Sequence, residues 1–502
     1  MTNRNLPNRT ITDGILHHSR INPSKLAISM GDMRITYGQL VERAEKIADY
    51  LLSEQKKNQR IGIWLPNDPD YLAYFLGIVL AHSIAVPLPA DLPAEELGKY
   101  KEHLGLDQIW DESASLTIMS ATQPQPETIR RTISPDDLFY MAVSSGSTGT
   151  PKGILRNHRS WTTSFERMSE AFEIGVGDTI LIPGPLHYSA SLIAALQVLD
   201  QGGTVVLLPR YATKHLVEHL LHPEITSIFL VPAMCAKLLA FVENKDELIS
   251  RLQERVITTV TAGAKMAVDL KQKWIDLFLN GKLFEYYGAA ELSFVSLLAP
   301  AEQIAHADSV GRAFAGVEIM IMDDTGHVLP TGSIGQVYVR SEMIAQGYGH
   351  LQVENFITPQ NGYYSVGDVG YLDEEGYLYL TGRKQELIIR GGVNIYPLEI
   401  EQKIRQFDWA EDVAVFGMPD AQLGEKIVAV LVLNNQCIER IKYGVYTRSD
   451  FIFHTPIAKL LPQSRHPDLY WIHNQLPLGS TGKVDKRTLR KQWLEEGGRI
   501  HG

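Results

Sequence analysis

A glycine- and hydroxyl-rich stretch, SSGSTGTPKG at residues 144–153, carries the groups that suit phosphate binding. Its glycines allow successive backbone N–H groups to turn toward one point, and its hydroxyl groups and Lys152 add further donors and a positive charge. The spacing differs from that of a Walker A loop, because Lys152 is followed by Gly153 and not by Ser or Thr. Composition alone leaves two interpretations open, a cradle for phosphate and a solvated surface connector.

The length and charge of the chain narrow the class of protein. A chain of 502 residues is too long for one ordinary core, so at least two domains are expected. The formal net charge of −11 argues against a nucleic-acid partner, because binding a phosphate backbone needs a basic surface. An anionic small substrate remains compatible with this charge, since a few lysines and arginines can be gathered in one cleft.

Cysteine usage and apolar runs favour a cytoplasmic protein without a membrane span. Cys235 and Cys437 are too few for a disulfide framework or a metal cluster. The polar N-terminal stretch lacks the apolar core of a signal peptide. The longest apolar run, residues 71–90, is interrupted by His82 and Pro87, so we interpret it as a buried helix followed by a buried strand.

The elements that must position any site alternate between strand and helix patterns. Leu40, Ala44, Ile47 and Leu51 share one face of a predicted helix over residues 35–52. Such alternation predicts an α/β fold with largely parallel sheets. Apolar runs typical of buried strands lie at residues 60–66, 179–184, 203–209 and 225–232.

The pattern of predicted strands and turns changes at two places along the chain, which indicates further subdivisions of the fold. Near residue 310 short strands surround the turn sequence DDTG, which suggests a β-rich subdomain. After Gln385 a compact segment follows, with a helix predicted over residues 397–407 and strands over 412–420 and 426–435. We therefore place a domain boundary near Gln385.

Four further stretches accompany the glycine-rich loop, and the set resembles the adenylate-forming superfamily. That superfamily includes acyl-CoA synthetases, luciferases and the adenylation domains of peptide synthetases. Residues 145–153 are similar throughout to its phosphate loop, and the resemblance covers nearly the whole chain in the family's order. The other similar stretches are YGAAE at 287–291, YYSVGDVGYLDEEGYLYLTGR at 363–383, IIRGGVNIYPLEIE at 388–401 and LPLGSTGKVDKRTL at 476–489.

The resemblance implies a fold of two domains with different roles. The expected N-terminal domain, residues 1–384, comprises two α/β sheet subdomains plus a β-rich subdomain and binds the acid and ATP. A smaller, mobile α+β domain, residues 386–502, is expected to carry the catalytic lysine, with Gln385 as the hinge.

An ATP site is the first implication for individual residues. Asp368 is expected to accept hydrogen bonds from ribose hydroxyls, and Arg383 suits ribose or phosphate oxygens. Tyr287 offers a face to adenine. A turn aspartate, a surface salt bridge and plain core packing are the respective alternatives. The full set of ATP-binding residues implied is Ser144, Ser145, Gly146, Ser147, Thr148, Gly149, Lys152, Gly263, Ala264, Tyr287, Gly288, Asp368, Arg383 and Lys483.

Catalytic roles are implied for Lys483, Glu291 and His187. Lys483 resembles the family lysine that reaches the α-phosphate and the substrate carboxylate, where a positioned ammonium offsets charge in the transition state. A solvated lysine, like Lys486 and Lys491 nearby, is the alternative. Glu291 resembles the magnesium ligand, with a hydroxyl from Ser144 or Thr148 as a second donor. Capping of a helix that begins with ELSFV at residues 291–295 is its alternative role, and the two roles are compatible. His187 resembles the gate at the carboxylate pocket, and a satisfied core histidine is the alternative.

The acid pocket and the CoA-binding loop complete the implied site. An apolar pocket favours a fatty acid first and an aryl acid second over a charged acid. The loop formed by Arg390, Gly391 and Gly392 resembles the segment that lines the thiol's path in acyl-CoA synthetases. The residues expected in the acid pocket are His187, Tyr188, Ser189, Met234, Leu238 and Phe294.

The activity implied is an ATP-dependent acyl-CoA ligase of fatty acid metabolism. It would use ATP, Mg²⁺ and coenzyme A and would act as a monomer or homodimer. A stand-alone enzyme that loads a separate carrier protein is the nearest alternative. Ala290 and Gln385 depart from the family pattern and motivate a third alternative, a non-catalytic nucleotide-binding paralogue, against which the retention of Lys483 speaks.

Overall fold

The computed structural model describes residues 9–53, 58–113, 133–145, 151–349, 361–391, 393–438, 441–478 and 484–495. Strands and helices alternate along these residues. The strands are β1 (Leu26–Met30), β2 (Met33–Thr36), β3 (Arg60–Ile63), β4 (Ile84–Pro87), β5 (Gln108–Trp110), β6 (Leu138–Ser145), β7 (Pro151–Asn157), β8 (Thr179–Ile182), β9 (Thr204–Leu207), β10 (Ser227–Leu230), β11 (Thr258–Thr261), β12 (Lys282–Ala289), β13 (Ser293–Leu298), β14 (Arg312–Ala313), β15 (Glu318–Met322), β16 (Gly335–Arg340), β17 (Gly347–Tyr348), β18 (Asp368–Leu372), β19 (Leu378–Arg383), β20 (Ile388–Arg390), β21 (Val393–Ile395), β22 (Ala410–Asp420), β23 (Gly424–Leu433), β24 (Gly444–Thr447) and β25 (Leu469–His473).

Helices connect and cover these strands. The α-helices are α1 (Asp13–Ile21), α2 (Tyr37–Ser53), α3 (Tyr71–Leu80), α4 (Leu97–Leu104), α5 (His158–Phe172), α6 (Ser189–Asp200), α7 (Thr213–Leu220), α8 (Pro232–Val242), α9 (Asp246–Gln253), α10 (Val268–Leu277), α11 (Pro397–Ile404), α12 (Asn435–Ile438), α13 (His454–Leu460) and α14 (Lys486–Glu495). Short 3₁₀ helices lie at Ala94–Glu96, Pro300–Glu302, Lys384–Glu386 and Gln463–Arg465.

The hydrophobic pattern explains most of these elements. The predicted face of α2 is buried, with Leu40, Ala44, Ile47 and Leu51 each at most 1% exposed. The apolar run at 71–90 forms the wholly buried helix α3 followed by β4, as predicted. Among the described residues no helix combines the length and the apolar character needed to span a lipid bilayer.

Contacts within the chain divide it into two compact units. The first comprises Met1–Ile319, Val339–Val366 and Gly376–Leu378, and the second comprises Met320–Tyr338, Gly367–Glu375 and Tyr379–Gly502. This division assigns part of the β-rich segment to the second unit. The boundary at Gln385 and the hinge there remain predictions.

The first unit contains two large sheets. A nine-stranded sheet has the order β14-β13-β12-β11-β10-β8-β9-β1-β2, and its strands from β12 to β1 are parallel. A six-stranded sheet has the order β17-β7-β6-β4-β3-β5. In that sheet β6 and β7 form an antiparallel hairpin around the glycine-rich loop, with Ser144 paired to Lys152.

The second unit is built mainly on a six-stranded mixed sheet. Its order is β21-β20-β23-β25-β24, with β22 paired to the free side of β23 along its length. Strand β23 is buried from Ile427 to Leu433, so both faces of the sheet are covered. A four-stranded sheet of order β15-β16-β18-β19 contributes β18 and most of β15, β16 and β19 to this unit. The predicted α/β class and α+β C-terminal segment are confirmed.

Candidate active site

The turn that carries His187 is held in place by a buried amide. The turn lies between β8 and α6, and the side chain of Asn67 donates to the carbonyls of Gly184 (3.0 Å) and Leu208 (2.9 Å). The N–H of Leu186 donates to Asn67 Oδ1 at 2.8 Å. Asn67 is only 8% exposed, so these three bonds satisfy a buried polar group and fix the turn one residue before His187.

His187 is a neutral imidazole with unused hydrogen-bonding capacity. Burial lowers its pKa to about 4, and the charge of Asp91 opposes this shift only partly. Its Nε2 is buried and finds no hydrogen-bond partner among the described residues. The ring packs at 4.3 Å from that of Tyr188. A neutral imidazole with a vacant nitrogen can bind one oxygen of a carboxyl group, as the sequence prediction requires.

A hydroxyl pair links the start of α6 to the strand that enters the glycine-rich loop. Ser189, the first residue of α6, lies with its Oγ 2.8 Å from the phenol oxygen of Tyr140 on β6. Tyr140 is 1% exposed, and burial raises the pKa of its phenol to about 12, so the group stays protonated at neutral pH. This contact sets α6 relative to β6 inside the first unit.

An apolar cavity of about 10 Å³ lies between α6 and the nine-stranded sheet. Ala190 and Ala194 face it from one side of α6, and small side chains at this spacing leave room between the helix and the strands. The volume is at the lower limit for a single water molecule. The remaining lining residues are Met168, Phe172, Ile174, Ile180, Gln197, Phe229, Val260 and Tyr286.

The six residues predicted for the acid pocket have different surroundings. His187, Tyr188 and Ser189 are consecutive at the start of α6, and the methyl group of Met234 would lie 3.8 Å from a Cβ atom placed on Gly184 in the same turn. Leu238 is fully buried in the core cluster that surrounds Trp274. Phe294 is 2% exposed and stacks on Phe314 at 5.1 Å. Both serve as core residues here, and their roles in acid binding remain predictions.

Glu291 lies at the tip of a tight hairpin between β12 and β13. A side chain at Gly288 would meet the carbonyl oxygen of Ser293 at 2.1 Å, so only glycine fits this irregular pairing. Ser293 adopts a φ of 62° to complete the turn. Tyr287, the predicted adenine neighbour, precedes the irregularity and pairs with Ser296. The YGAAE motif therefore ends in a turn that presents Glu291. The expectation of a helix that begins with ELSFV is wrong, because these residues form the turn and the start of strand β13, which pairs with β12.

A short segment joins Glu291 to the strand that leaves the glycine-rich loop. The phenol of Tyr348 donates to Glu291 Oε1 at 3.0 Å, and Lys152 Nζ lies 5.8 Å from the centre of the Tyr348 ring. Burial raises the pKa of the Tyr348 phenol, which keeps it a donor. The neighbouring Arg156 is 2% exposed and donates to the carbonyl of Met343 at 2.7 Å, and burial lowers its pKa to about 10.

The predicted adenine wall, Gly263 and Ala264, forms a turn after β11. Gly263 has a φ of +92°, a conformation that favours glycine. The following residue, Lys265, donates to the carbonyl of Ser309 at 2.7 Å, and burial lowers its pKa to about 8. Behind the turn, Lys271 and Glu285 form a buried ion pair of 2.5 Å, and Glu285 Oε1 accepts the N–H of Met266 at 2.8 Å.

The predicted ribose-binding pair lies in the second unit. Arg383 Nε donates to Asp368 Oδ1 at 3.0 Å, with the Asp368 side chain 8% exposed and that of Arg383 53% exposed. Gln385 is exposed within the Lys384–Glu386 3₁₀ turn, where Glu386 is tied to Lys486 at 2.7 Å.

Arg390 is engaged in a structural ion pair. Its Nη2 and Nε donate to Asp468 Oδ1 and Oδ2 at 2.8 and 3.0 Å, and Arg448 shares the same carboxylate. This bidentate pair commits the guanidinium to the core of the second unit. Gly391 is exposed with a φ of +58°. The predicted contact of Arg390, Gly391 and Gly392 with coenzyme A remains a prediction.

Several predicted residues lie outside the described residues. They include Lys483, on which the catalytic prediction depends most, and the centre of the glycine-rich loop. The side chain of Ser145 belongs with them, although its backbone ends β6. The full set is Gly146, Ser147, Thr148, Gly149, Gly392 and Lys483.

The described residues fit a magnesium ion that arrives with a nucleotide. They contain no group of three or more acidic, histidine or cysteine side chains that could enclose a metal. Mg²⁺ is usually held by one or two carboxylates together with substrate phosphates. Glu291, with Oε2 outside its bond to Tyr348, offers one such carboxylate, and Lys152 Nζ lies 5.8 Å from the centre of the Tyr348 ring.

Sequence reasoning missed Asn67 and Tyr348. Asn67 follows a strand in the turn sequence LPND, which by itself indicates only a loop. Tyr348 belongs to the sequence AQGYG, whose glycines suggested no role. Neither residue has its partner nearby in sequence, so no local pattern could have identified the contact.

Known proteins are similar to this chain over most of its length. The family model described as AMP-binding enzyme matches residues 16–349. The chain is 31% identical over 509 residues to the uncharacterized acyl-CoA ligase YhfT of Bacillus subtilis, covering 97% of this chain and 99% of that protein. It is 25% identical over 491 residues to the long-chain-fatty-acid–CoA ligase FadD13 of Mycobacterium tuberculosis, covering 92% and 94%.

The fold is shared with a solved structure. The O-succinylbenzoate coenzyme A synthetase MenE of Bacillus subtilis, in complex with ATP and magnesium ion, matches with a TM-score of 0.82 and 23% identity. The match covers 96% of this chain and all of that one (100%). At this identity the likeness establishes the fold.

Proposed function

The chain belongs to the AMP-binding family of adenylate-forming acyl-CoA ligases, and from that premise we propose that it joins an acid with an apolar tail to coenzyme A at the expense of ATP. The choice of acid rests on the surroundings of His187. The imidazole is neutral, its Nε2 is vacant, and the cavity beside the following helix is lined almost entirely by apolar side chains. These features favour an uncharged tail behind a single carboxyl group.

The proposed reaction has two steps. A carboxylate oxygen attacks the α-phosphorus of ATP, a P–O bond to pyrophosphate breaks, and an acyl-adenylate forms. The sulfur of coenzyme A then attacks the acyl carbon, the C–O bond to AMP breaks, and the thiol proton passes to solvent. The products are a thioester, AMP and pyrophosphate.

The predicted site residues and Asn67 have distinct roles in this proposal. His187 binds and orients the carboxyl group, and Asn67 holds the turn that places it. Lys152 attracts the phosphates that leave as pyrophosphate, and Glu291 holds Mg²⁺, which when bound neutralises phosphate charge. Asp368 and Arg383 bind ribose, and Lys483 provides the ammonium at the reacting phosphate.

A fatty acid is the first choice of substrate and an aryl acid the second. The apolar lining, including Phe172, Phe229 and Tyr286, supports either. The similarity to a protein named as a long-chain-fatty-acid–CoA ligase supports the former. Rearrangement of the lining would be needed for a long tail, because the cavity of about 10 Å³ holds little more than a water molecule.

A panel of acids tests this function. Purified protein is incubated with ATP, Mg²⁺ and either free coenzyme A or a phosphopantetheine-bearing carrier protein, and nucleotides and thioesters are quantified. We expect AMP and an acyl-CoA in equal amounts with at least one fatty or aryl acid. Transfer only to the carrier protein would support a loading enzyme instead, and nucleotide binding without AMP formation would contradict the proposal.

A further inference from the structure

A single five-residue segment holds Glu291 at two points. The N–H of Ala345 donates to the backbone carbonyl of Glu291 at 2.8 Å, and three residues later the phenol of Tyr348 donates to its carboxylate at 3.0 Å. Residues 345–349 therefore fix both the main chain and the side chain of the residue at the tip of the β12–β13 hairpin. We call residues 345–349 the strap.

The strap is also paired to the strand that leaves the glycine-rich loop. Gly347 and Tyr348 of β17 lie opposite Leu155 and Ile154 of β7. The N–H groups of Gln346 and Gly349 donate to carbonyls of the same strand, each at 2.8 Å. The strap thus connects the carboxylate of Glu291 with the strand that begins beside Lys152.

Tyr348 is the residue where these two connections meet. Its hydroxyl is bonded to Glu291 Oε1, and its ring lies 5.8 Å from Lys152 Nζ. Arg156, also on β7, is close enough to interact electrostatically with Glu291. Only one oxygen of Glu291 is used by the phenol, so Oε2 can serve as a ligand while Oε1 is held. A hydrogen bond of this kind orients a metal-binding carboxylate and reduces its freedom to rotate.

We propose that Tyr348 is a positioning residue for the Mg²⁺·ATP complex. It holds Glu291 in the orientation that binds the metal and keeps that carboxylate in a fixed position relative to Lys152. The inference rests on the proposed function, since it assigns Mg²⁺ to Glu291. Tyr348 acts through Glu291 and touches neither the acid nor the reacting phosphorus in this account.

The test compares ATP binding in the presence of Mg²⁺ and of a chelator, measured by calorimetry without any acid substrate. In Tyr348→Phe the dissociation constant with chelator should match that of the wild type, which also verifies the fold. The tightening produced by Mg²⁺ should fall about tenfold or more, the usual effect of losing a group that orients a metal ligand. An unchanged or larger tightening would overturn the inference.

A matched control and a double variant separate this role from a general structural one. Tyr363→Phe removes a phenol bonded to Glu318 (2.7 Å) in the same unit, and it should leave both dissociation constants unchanged. In a Glu291→Gln background, Tyr348→Phe should add nothing to the loss of Mg²⁺ dependence, because the two residues act as one. Additive losses would overturn the inference.

The same titration distinguishes failure of the inference from failure of the proposed function. A wild-type protein that binds no ATP in either buffer would overturn the proposed function and the inference with it. A wild-type protein whose ATP affinity depends on Mg²⁺, with Tyr348→Phe behaving identically, would overturn the inference alone.

Discussion

Replacement of Asn67 by alanine should weaken both the fold of the first unit and its binding of the acid. Asn67 lies in the loop between β3 and α3, yet its three hydrogen bonds reach residues 117 to 141 positions away in the chain. They fix the turn from Gly184 to Leu186 immediately before His187. The substitution removes these bonds without adding bulk.

The magnitude follows from the groups left behind. The N–H of Leu186 and the carbonyls of Gly184 and Leu208 lose their partner, and Leu186 itself is fully buried. A buried polar group left unsatisfied costs about 1–3 kcal/mol. Water can enter the space of the lost amide and satisfy part of the set, so we expect the free energy of unfolding to fall by about 3–5 kcal/mol.

Urea unfolding and acid-dependent ATP–pyrophosphate exchange measure the two effects. The KM for the acid should rise about tenfold, equivalent to about 1.4 kcal/mol, because His187 is no longer held in place. Asn67→Asp keeps the acceptor for the N–H of Leu186 but buries a charge and loses the donors, so it should be no more stable than the alanine variant. Gln272→Ala, an exposed amide on α10, is the control and should change neither quantity. A loss of less than about 1 kcal/mol with an unchanged KM would show that the three hydrogen bonds of Asn67 do not hold His187 in place.

Three other predictions follow from the same account. Lys271→Met should lower the free energy of unfolding by about 3–5 kcal/mol, because Glu285 is left as an uncompensated buried charge. Urea unfolding should show partial recovery of stability in the Lys271→Met/Glu285→Leu double variant, and the absence of recovery would contradict the pairing. Burial lowers the pKa of His158 to about 3, so between about pH 6.5 and pH 3 only the unfolded state binds this proton. His158 alone should then lower the free energy of unfolding by about 1.4 kcal/mol per pH unit as the pH falls, so the slope in His158→Phe should be shallower by that amount; equal slopes would contradict this assignment. Lys483→Ala should abolish acyl-adenylate formation, because it removes transition-state stabilisation on the order of 3 kcal/mol or more. It should spare thioester formation from supplied acyl-adenylate. Equal loss of both steps in rapid-quench assays would contradict the role of Lys483.

The fold could be predicted because its elements are encoded locally. Apolar runs such as that of β10 and the one-sided face of α2 indicate buried strands and covering helices without knowledge of distant residues. The glycine-rich loop and the YGAAE stretch were likewise visible as short patterns, and the structure forms a hairpin at each.

The contacts that position the site could not be predicted in this way. Asn67 bonds backbone groups, which every residue possesses, and Tyr348 meets Glu291 across 57 positions. Arg390 shows the converse case, because its motif suggested a ligand contact while Asp468, 78 positions further along the chain, occupies its guanidinium. A pattern of residue types carries no information on which distant partner a side chain meets.

The fate of the carboxyl oxygens shows whether the acid is activated by attack on the α-phosphorus of ATP. An acid carrying a heavy-oxygen label in its carboxyl group is converted with ATP, Mg²⁺ and coenzyme A, and the nucleotide product is analysed by mass spectrometry. Attack of the carboxylate on the α-phosphorus predicts one labelled oxygen in AMP and one in the thioester. Unlabelled AMP, or formation of ADP with the label in phosphate, would contradict the account.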